Sequence, residues 1–225
     1  QDCAKDHPMN RLLEGDVGSG KTVVSAAAAA GALRVGQRVV YLAPTEILAT
    51  QQHAAFVAFL GKPVALLTRS QQKIGEESIP KADLIEQINN GEVNCIVGTH
   101  ALLQDKVKLG EVGLMIIDEQ HRFGVEQRHA LLDTGDRPAP HLLSMTATPI
   151  PRSLALTVYG DLDLSILDEM PPGRKPVATA VVQHRLQEGM WGHVREQLDQ
   201  GRQAFVVCPL IDPSPANALV RLVQT

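Results

Sequence analysis

Aromatic side chains are scarce in this sequence, at 3% of 225 residues. The chain therefore has few rings for a surface that binds bases by stacking. A low aromatic content is more typical of packed α/β layers. An excess of positive charge is missing too, because the formal net charge is −4 at pH 7. Domains that coat nucleic acid are usually basic. The composition does not exclude a motor that holds a few phosphates through backbone N–H groups.

Cysteines and long apolar runs are equally sparse. Cys3, Cys95 and Cys208 are scattered without C-x-x-C spacing, which indicates reduced, buried thiols in a cytosol and no metal site. No apolar stretch is long enough to span a membrane, and no signal peptide is visible at the start. We therefore expect a cytoplasmic protein that has no membrane partner.

The run GDVGSGKT matches the G-x-x-x-x-G-K-T pattern of phosphate-binding loops. Glycines let the backbone wrap around a phosphate because no Cβ intrudes, and successive N–H groups at a helix N-terminus bind the anion. Lys21 is expected to pair with the β- and γ-phosphates, and Thr22 to ligate Mg²⁺. The alternative is a glycine turn before an ordinary helix. The predicted ATP-binding residues, here called the phosphate loop, are Gly15, Asp16, Val17, Gly18, Ser19, Gly20, Lys21 and Thr22.

A second motif is the apolar run 113–117 followed by two acids. Such a run suits a strand buried on both faces of a parallel sheet, and ligands of open α/β sheets bind at the carboxyl ends of strands. Asp118 is expected to hold Mg²⁺, and Glu119 to orient and deprotonate the attacking water. The predicted catalytic residues are thus Glu119 and Lys21, with Thr22 and Asp118 as metal ligands. The alternative is an acidic loop after a buried strand.

The third motif, SMTATP at 144–149, places hydroxyls at a strand end. There they can bond to Glu119 or His121 and respond to the state of the nucleotide. The alternative is a Ser/Thr turn closed by Pro149.

Five segments in this order resemble superfamily 2 helicases and, more narrowly, the RecG family of bacterial ATP-dependent DNA helicases. They are GDVGSGKT (15–22), APTEILATQQ (43–52), GTHALLQ (98–104), DEQHRFG (118–124) and TATPIPR (146–152). PPGRKP (171–176) and GRQAFVVCPLI (201–211) extend the similarity. Transcription-repair coupling translocases are the next most similar family, but they typically read DEEHRFG where this chain has Gln120. A non-motor ATP-binding switch is the alternative from another class, and it does not need the APTE, GTH and TATP segments.

The resemblance implies an ATP hydrolase that drives a monomeric helicase on branched or forked DNA, in DNA repair and recombination in the bacterial cytoplasm. ATP and Mg²⁺ are the implied cofactors. The resemblance makes His121 catalytic, and it assigns coupling to Gln120, His121, Thr146 and Thr148. It assigns DNA contacts to Pro44, Thr45, Glu46, Gly98, Thr99 and His100, with plain helix capping as the alternative for the two threonines. Arg69 stands where relatives usually have Gly, and it is a candidate cation for a DNA phosphate.

Alternating strand and helix patterns predict an α/β fold with a parallel sheet covered by helices. The resemblance implies that this fold is a RecA-like P-loop NTPase domain. The predicted organisation is domain 1 at 1–168, a Pro/Gly linker at 169–176 and a truncated second RecA-like domain at 177–225. We expect a fragment that is inactive alone, because the resemblance places a wedge domain and the second-domain arginines outside it. Strands are predicted at 11–14, 38–43, 64–67, 94–97, 113–117, 141–145, 162–167, 177–182 and 203–208, and helices at 23–33, 46–60, 81–89, 125–132 and 188–200.

Overall fold

The computed structural model describes residues 7–103, 107–119, 139–148, 162–169 and 177–207. The chain divides into two compact units, Gln1–Arg174 and Lys175–Thr225. The predicted linker lies almost wholly outside the described residues, and the predicted domain boundaries stay a prediction. The predicted helix at 125–132 also lies outside them.

The first unit is built on one sheet with helices before and after its strands. Its strands are β1 (Asn10–Gly15), β2 (Arg38–Leu42), β3 (Ala65–Leu67), β4 (Gln72–Ile74), β5 (Glu77–Ser78), β6 (Cys95–Gly98), β7 (Val112–Asp118), β8 (His141–Thr146) and β9 (Asp163–Leu167). Its helices are α1 (Lys21–Arg34), α2 (Glu46–Leu60) and α3 (Lys81–Asn90), with a 3-10 turn at His100–Leu103.

The strand order is β5-β4-β3-β6-β2-β7-β8-β1-β9. Every pairing from β3 through to β9 is parallel, which confirms the predicted parallel α/β sheet. The hairpin of β4 and β5 adds two antiparallel strands at one edge. This hairpin was not predicted from the sequence, because its strands are two or three residues long and mainly polar.

The two faces of the sheet carry separate apolar clusters. Val39 and Tyr41 of β2 belong to the cluster with Phe56 of α2, whereas Val40 and Leu42 belong to the cluster with the α3 side chains. This alternation follows from the two-residue period of a strand. All five residues of β2 are buried, as expected for a strand covered by helices on both faces.

Helices α2 and α3 end at residues suited to capping. Thr45 caps α2, since its hydroxyl oxygen accepts the N–H of Leu48 at 3.3 Å. Gly91 ends α3 in the left-handed region, with φ of 79°, where glycine carries no steric cost. Cys95 is a buried, free thiol, and burial raises its pKa to about 12. Cys3 and Cys208 lie outside the described residues.

The second unit contains helix α4 (Gln187–Asp199), preceded by a 3-10 turn at His184–Leu186. The strands predicted at 177–182 and 203–208 are wrong for the residues described there, since 177–183 and 202–207 carry no regular structure. A strand requires a hydrogen-bonded neighbour, and the described part of this unit offers none. The side chains of Val181 and Phe205 are accordingly 97% and 89% exposed.

No helix within the described ranges is long and apolar enough to cross a membrane.

Candidate nucleotide-binding site

The phosphate loop joins β1 to α1 in a shape that only glycines permit at two points. Gly20 is the N-cap of α1 in the left-handed region, with φ of 98°, and no side chain caps the helix there. Gly18 also lies in the left-handed region, with φ of 84°, and a Cβ on Gly15 would displace the Ser19 hydroxyl, which lies 2.5 Å from that position. The first N–H groups of α1 consequently have no side-chain acceptor, and such groups bind anions.

The Lys21 ammonium lies against the inside of this loop. Its Nζ donates to the carbonyl oxygens of Gly15 at 2.6 Å and Asp16 at 2.9 Å. An ammonium has three donors, so a third remains for a phosphate oxygen. The positive charge therefore lies within the loop that precedes α1.

Asp118 ends β7 and is held at both carboxylate oxygens. Oδ2 accepts the hydroxyl of Tyr41 at 3.0 Å, and Oδ1 accepts the N–H of Glu119 at 3.0 Å. Asp118 is 7% exposed, and this burial raises its pKa, although the hydrogen bond from Tyr41 opposes the rise. Glu119 has a φ of 48°, a conformation that is uncommon for residues other than glycine.

A cavity of about 410 Å³ brings the predicted motifs together. The phosphate loop lines one side and the acidic pair Asp118–Glu119 another, with β8 and the turn after it supplying two more residues. Helix α2 contributes three residues that the sequence analysis missed. Their spacing of i, i+3 and i+4 marks one helix face, but the sequence alone does not tell which structure that face contacts. The lining residues are Val17, Gly18, Gly20, Lys21, Thr22, Leu48, Gln51, Gln52, Asp118, Glu119, Met145 and Ala147.

Thr146 and Thr148 bond to each other at the end of β8. Thr146 Oγ1 lies 3.0 Å from Thr148 Oγ1 and accepts the N–H of Thr148 at 3.2 Å. The described hydrogen bonds of this pair therefore form a local turn, and Ala147 between them lines the cavity. Gln120 and His121, the other predicted coupling residues, lie outside the described residues.

The residues predicted to contact DNA lie together at the carboxyl ends of two neighbouring strands, which form one edge of the sheet. Pro44, Thr45 and Glu46 follow β2, while Gly98, Thr99 and His100 end or follow β6, its parallel neighbour.

Two side chains of this edge already have local partners. Thr99 is 2% exposed and its hydroxyl accepts the N–H of Ala101 at 3.4 Å. The Ser70 hydroxyl donates to the carboxylate of Glu46, and this bond is the main cause of the lowered pKa of Glu46. Arg69 is exposed beside Ser70.

The DEAD/DEAH box helicase family matches residues 3–157 of the chain. This stretch contains the phosphate loop, the acidic pair and the turn after β8. The chain belongs to the DEAD/DEAH box helicase family.

Within this helicase family, the chain is similar to proteins called ATP-dependent DNA helicase RecG, as its motifs predicted. It is 48% identical to the Aquifex aeolicus protein over 217 residues, which are 95% of this chain and 27% of that protein. It is 47% identical to the Bacillus subtilis protein, covering 95% of this chain and 31% of that one. The chain thus spans about a quarter to a third of the length of these curated relatives.

Solved helicase structures agree with this family. The structure of RecG bound to a three-way DNA junction matches with a TM-score of 0.75 and 41% identity, over 93% of this chain and 28% of that one. The helicase domain of Pyrococcus furiosus Hef matches with a TM-score of 0.51 and 25% identity, over 73% of this chain and 36% of that one.

Proposed function

We propose that this chain is the ATP-binding motor domain, with the start of a second motor domain, of an ATP-dependent DNA helicase that acts on branched DNA. The observation that carries the proposal is the cavity shared by the phosphate loop and the acidic pair. The RecG structure that this chain resembles is bound to a three-way DNA junction, and this resemblance supports a branched DNA substrate.

The phosphate loop fits the triphosphate of ATP. The uncapped start of α1 offers backbone donors, and Lys21 adds a positive charge beside them. Thr22 and Asp118 line the same cavity, and their oxygens would hold Mg²⁺, which prefers few protein oxygens together with phosphate and water. When bound, Mg²⁺ neutralises charge that develops on the phosphates.

Glu119 is the proposed general base. It follows the metal ligand directly and lines the cavity, so its carboxylate can take a proton from water attacking the γ-phosphate. His121 and Gln120 follow it in sequence and, with Thr146 and Thr148, are proposed to couple hydrolysis to movement. An arginine from a facing second motor domain is expected to stabilise the transition state.

The proposed DNA contacts are the segments after β2 and β6. Their backbone N–H groups and hydroxyls would bind phosphates of one strand, which positions DNA without reading its sequence. Exposed Arg69 would add a cation at this edge. Domain closure around ATP would then move DNA relative to this edge.

Nucleotide binding is tested by titrating the chain with a fluorescent ATP analogue and Mg²⁺. Lys21→Ala should weaken binding about 10–100-fold, the usual cost of a lost charge-assisted contact. Lys62→Ala is the matched control, because Lys62 is exposed and lies outside the cavity. Equal affinities of all three proteins would contradict the proposed site.

Turnover is tested by measuring the phosphate that the full-length parent protein releases from ATP in the presence of forked duplex DNA. Glu119→Gln should bind ATP as the parent does and hydrolyse it about 10²–10⁴-fold more slowly. Wild-type turnover would remove Glu119 from the catalytic role. The 225-residue chain alone should show negligible DNA-stimulated hydrolysis.

A further inference from the structure

Tyr41 is a polar residue in β2, a strand whose five residues are all buried. It is 0% exposed, and its ring packs edge-on against Phe56 of α2, with centroids 5.2 Å apart and planes at 74°. Phenylalanine would fill this place with the same ring. The packing therefore explains the ring of Tyr41 and leaves its hydroxyl unexplained.

The register of the sheet directs this hydroxyl to the end of β7. Tyr41 pairs with Ile116, and Asp118 lies two residues further along, on the same face of the sheet. A diagonal neighbour is within reach of an aromatic side chain. The hydroxyl donates to Asp118 Oδ2 at 3.0 Å.

The two bonds to Asp118 fix the plane of its carboxylate. Its terminal torsion is otherwise broad and weakly restricted. With Oδ2 bound to Tyr41 and Oδ1 bound to the Glu119 N–H, each oxygen keeps one further lone pair for a ligand. Asp118 also lines the cavity that contains Thr22 and Lys21, so those lone pairs are available to a cation there.

We propose that Tyr41 is a positioning residue, whose hydroxyl orients Asp118 for the Mg²⁺ that accompanies ATP. The inference rests on the proposed role of Asp118 as a metal ligand. Hydrogen-bond partners of a metal ligand typically change metal affinity by 10–100-fold when removed. The ring of Tyr41 thus packs against Phe56 of α2, while its hydroxyl binds the proposed metal ligand Asp118.

The test measures binding of a fluorescent ATP analogue to the whole chain while Mg²⁺ is varied, and again with EDTA present. Tyr41→Phe should raise the half-saturating Mg²⁺ concentration about 10-fold and leave binding in EDTA unchanged. Phe56→Leu is the control, since it removes the ring contact and keeps the hydroxyl. That variant should melt at a lower temperature and keep the wild-type Mg²⁺ dependence.

A double-mutant cycle gives a second measurement. In an Asp118→Asn background, Tyr41→Phe should cause no further change in Mg²⁺ dependence, because the two residues act through one interaction. An unchanged Mg²⁺ dependence in Tyr41→Phe, equal shifts in Tyr41→Phe and Phe56→Leu, or additive shifts with Asp118→Asn would each overturn the inference. Absence of Mg²⁺-dependent binding in the unsubstituted chain would instead contradict the proposed function, and the inference with it.

Discussion

Similar apolar residues are buried in the first unit of the chain and exposed in the second. Phe56 in the first unit is 0% exposed, whereas Phe205 in the second is 89% exposed. Valines of β2 are fully buried, whereas Val181 is 97% exposed. Strand propensity is comparable in both places, but residues 177–207, the described part of the second unit, contain no neighbouring strand. Strand formation in this chain thus depends on the partners available more than on the local sequence.

The largest expected contrast is in amide hydrogen exchange. The amides of β2, β6 and β7 should exchange at least about 10³-fold more slowly than unprotected amides, since buried ladders open only with the whole domain. Residues 177–183 and 202–207 should exchange close to the unprotected rate. Helix α4 should be only slightly protected, because it has no buried residue and isolated helices of its 13 residues are marginal. Slow exchange throughout 177–207 would show that the second unit has a core of its own.

A pair of aromatic truncations probes the same contrast through stability. Phe56→Ala should lower the free energy of unfolding of the first unit by about 3–5 kcal/mol, because it leaves a cavity beside Tyr41. Trp191→Ala, on α4, should change stability by less than about 0.5 kcal/mol, since Trp191 is 48% exposed. Chemical denaturation followed by far-UV circular dichroism measures both. A large loss in Trp191→Ala would mean that its ring is buried in solution.

Replacing a glycine with alanine should have a smaller effect on stability, and the sign of that effect should differ between the two units. A Cβ on Gly98 would collide with the carbonyl oxygen of Leu67 and lie 2.8 Å from Leu102 Cγ. Gly98→Ala should therefore cost about 1–3 kcal/mol. A Cβ on Gly192 meets nothing within 4 Å, so Gly192→Ala should stabilise α4 by about 0.5–1 kcal/mol. Thermal melting of the first unit checks the sign for Gly98→Ala, and the helix content from far-UV circular dichroism checks it for Gly192→Ala; equal signs would refute the difference in packing.

The sequence predicted the first unit well because its signals are local and repeated. The apolar run before Asp118, the cap at Thr45 and the stop at Gly91 each define an element by themselves. The β4–β5 hairpin was missed because its stability comes from pairing with β3, which no local pattern reveals. The strands predicted at 177–182 and 203–208 failed for the converse reason, since their pattern is present but the described residues of the second unit contain no strand to pair with.

The candidate site could be predicted where its residues are neighbours in the sequence. The phosphate loop and the acidic pair are short motifs, and the structure places both at one cavity. Tyr41, Leu48, Gln51 and Gln52 were missed because they reach the site through sheet register and helix orientation. A tyrosine among the apolar residues Val39, Val40 and Leu42 was the available signal, because a buried hydroxyl needs a hydrogen-bond partner.

The smallest expected effect concerns pH and a buried histidine of the first unit. His53 is 5% exposed, and its Nε2 lies 3.0 Å from the Val64 carbonyl oxygen. Burial lowers its pKa below the ordinary 6.5, although the bond to Val64 opposes this and Lys73 adds to it. The unfolded chain therefore takes up a proton before the folded one does, so His53 stabilises the fold above pH 6.5, and this contribution is lost as pH falls towards the lower folded pKa.

His53→Gln should remove this part of the acid slope, because an amide can replace the donor without titrating there. His193→Gln is the control in the second unit, where the side chain is 70% exposed. Unfolding free energies of the first unit measured from neutral to mildly acid pH should give a flatter slope for His53→Gln and an unchanged slope for His193→Gln. Parallel slopes in all three proteins would mean that the His53 ring is solvated in solution and that the contact with Val64 is not maintained.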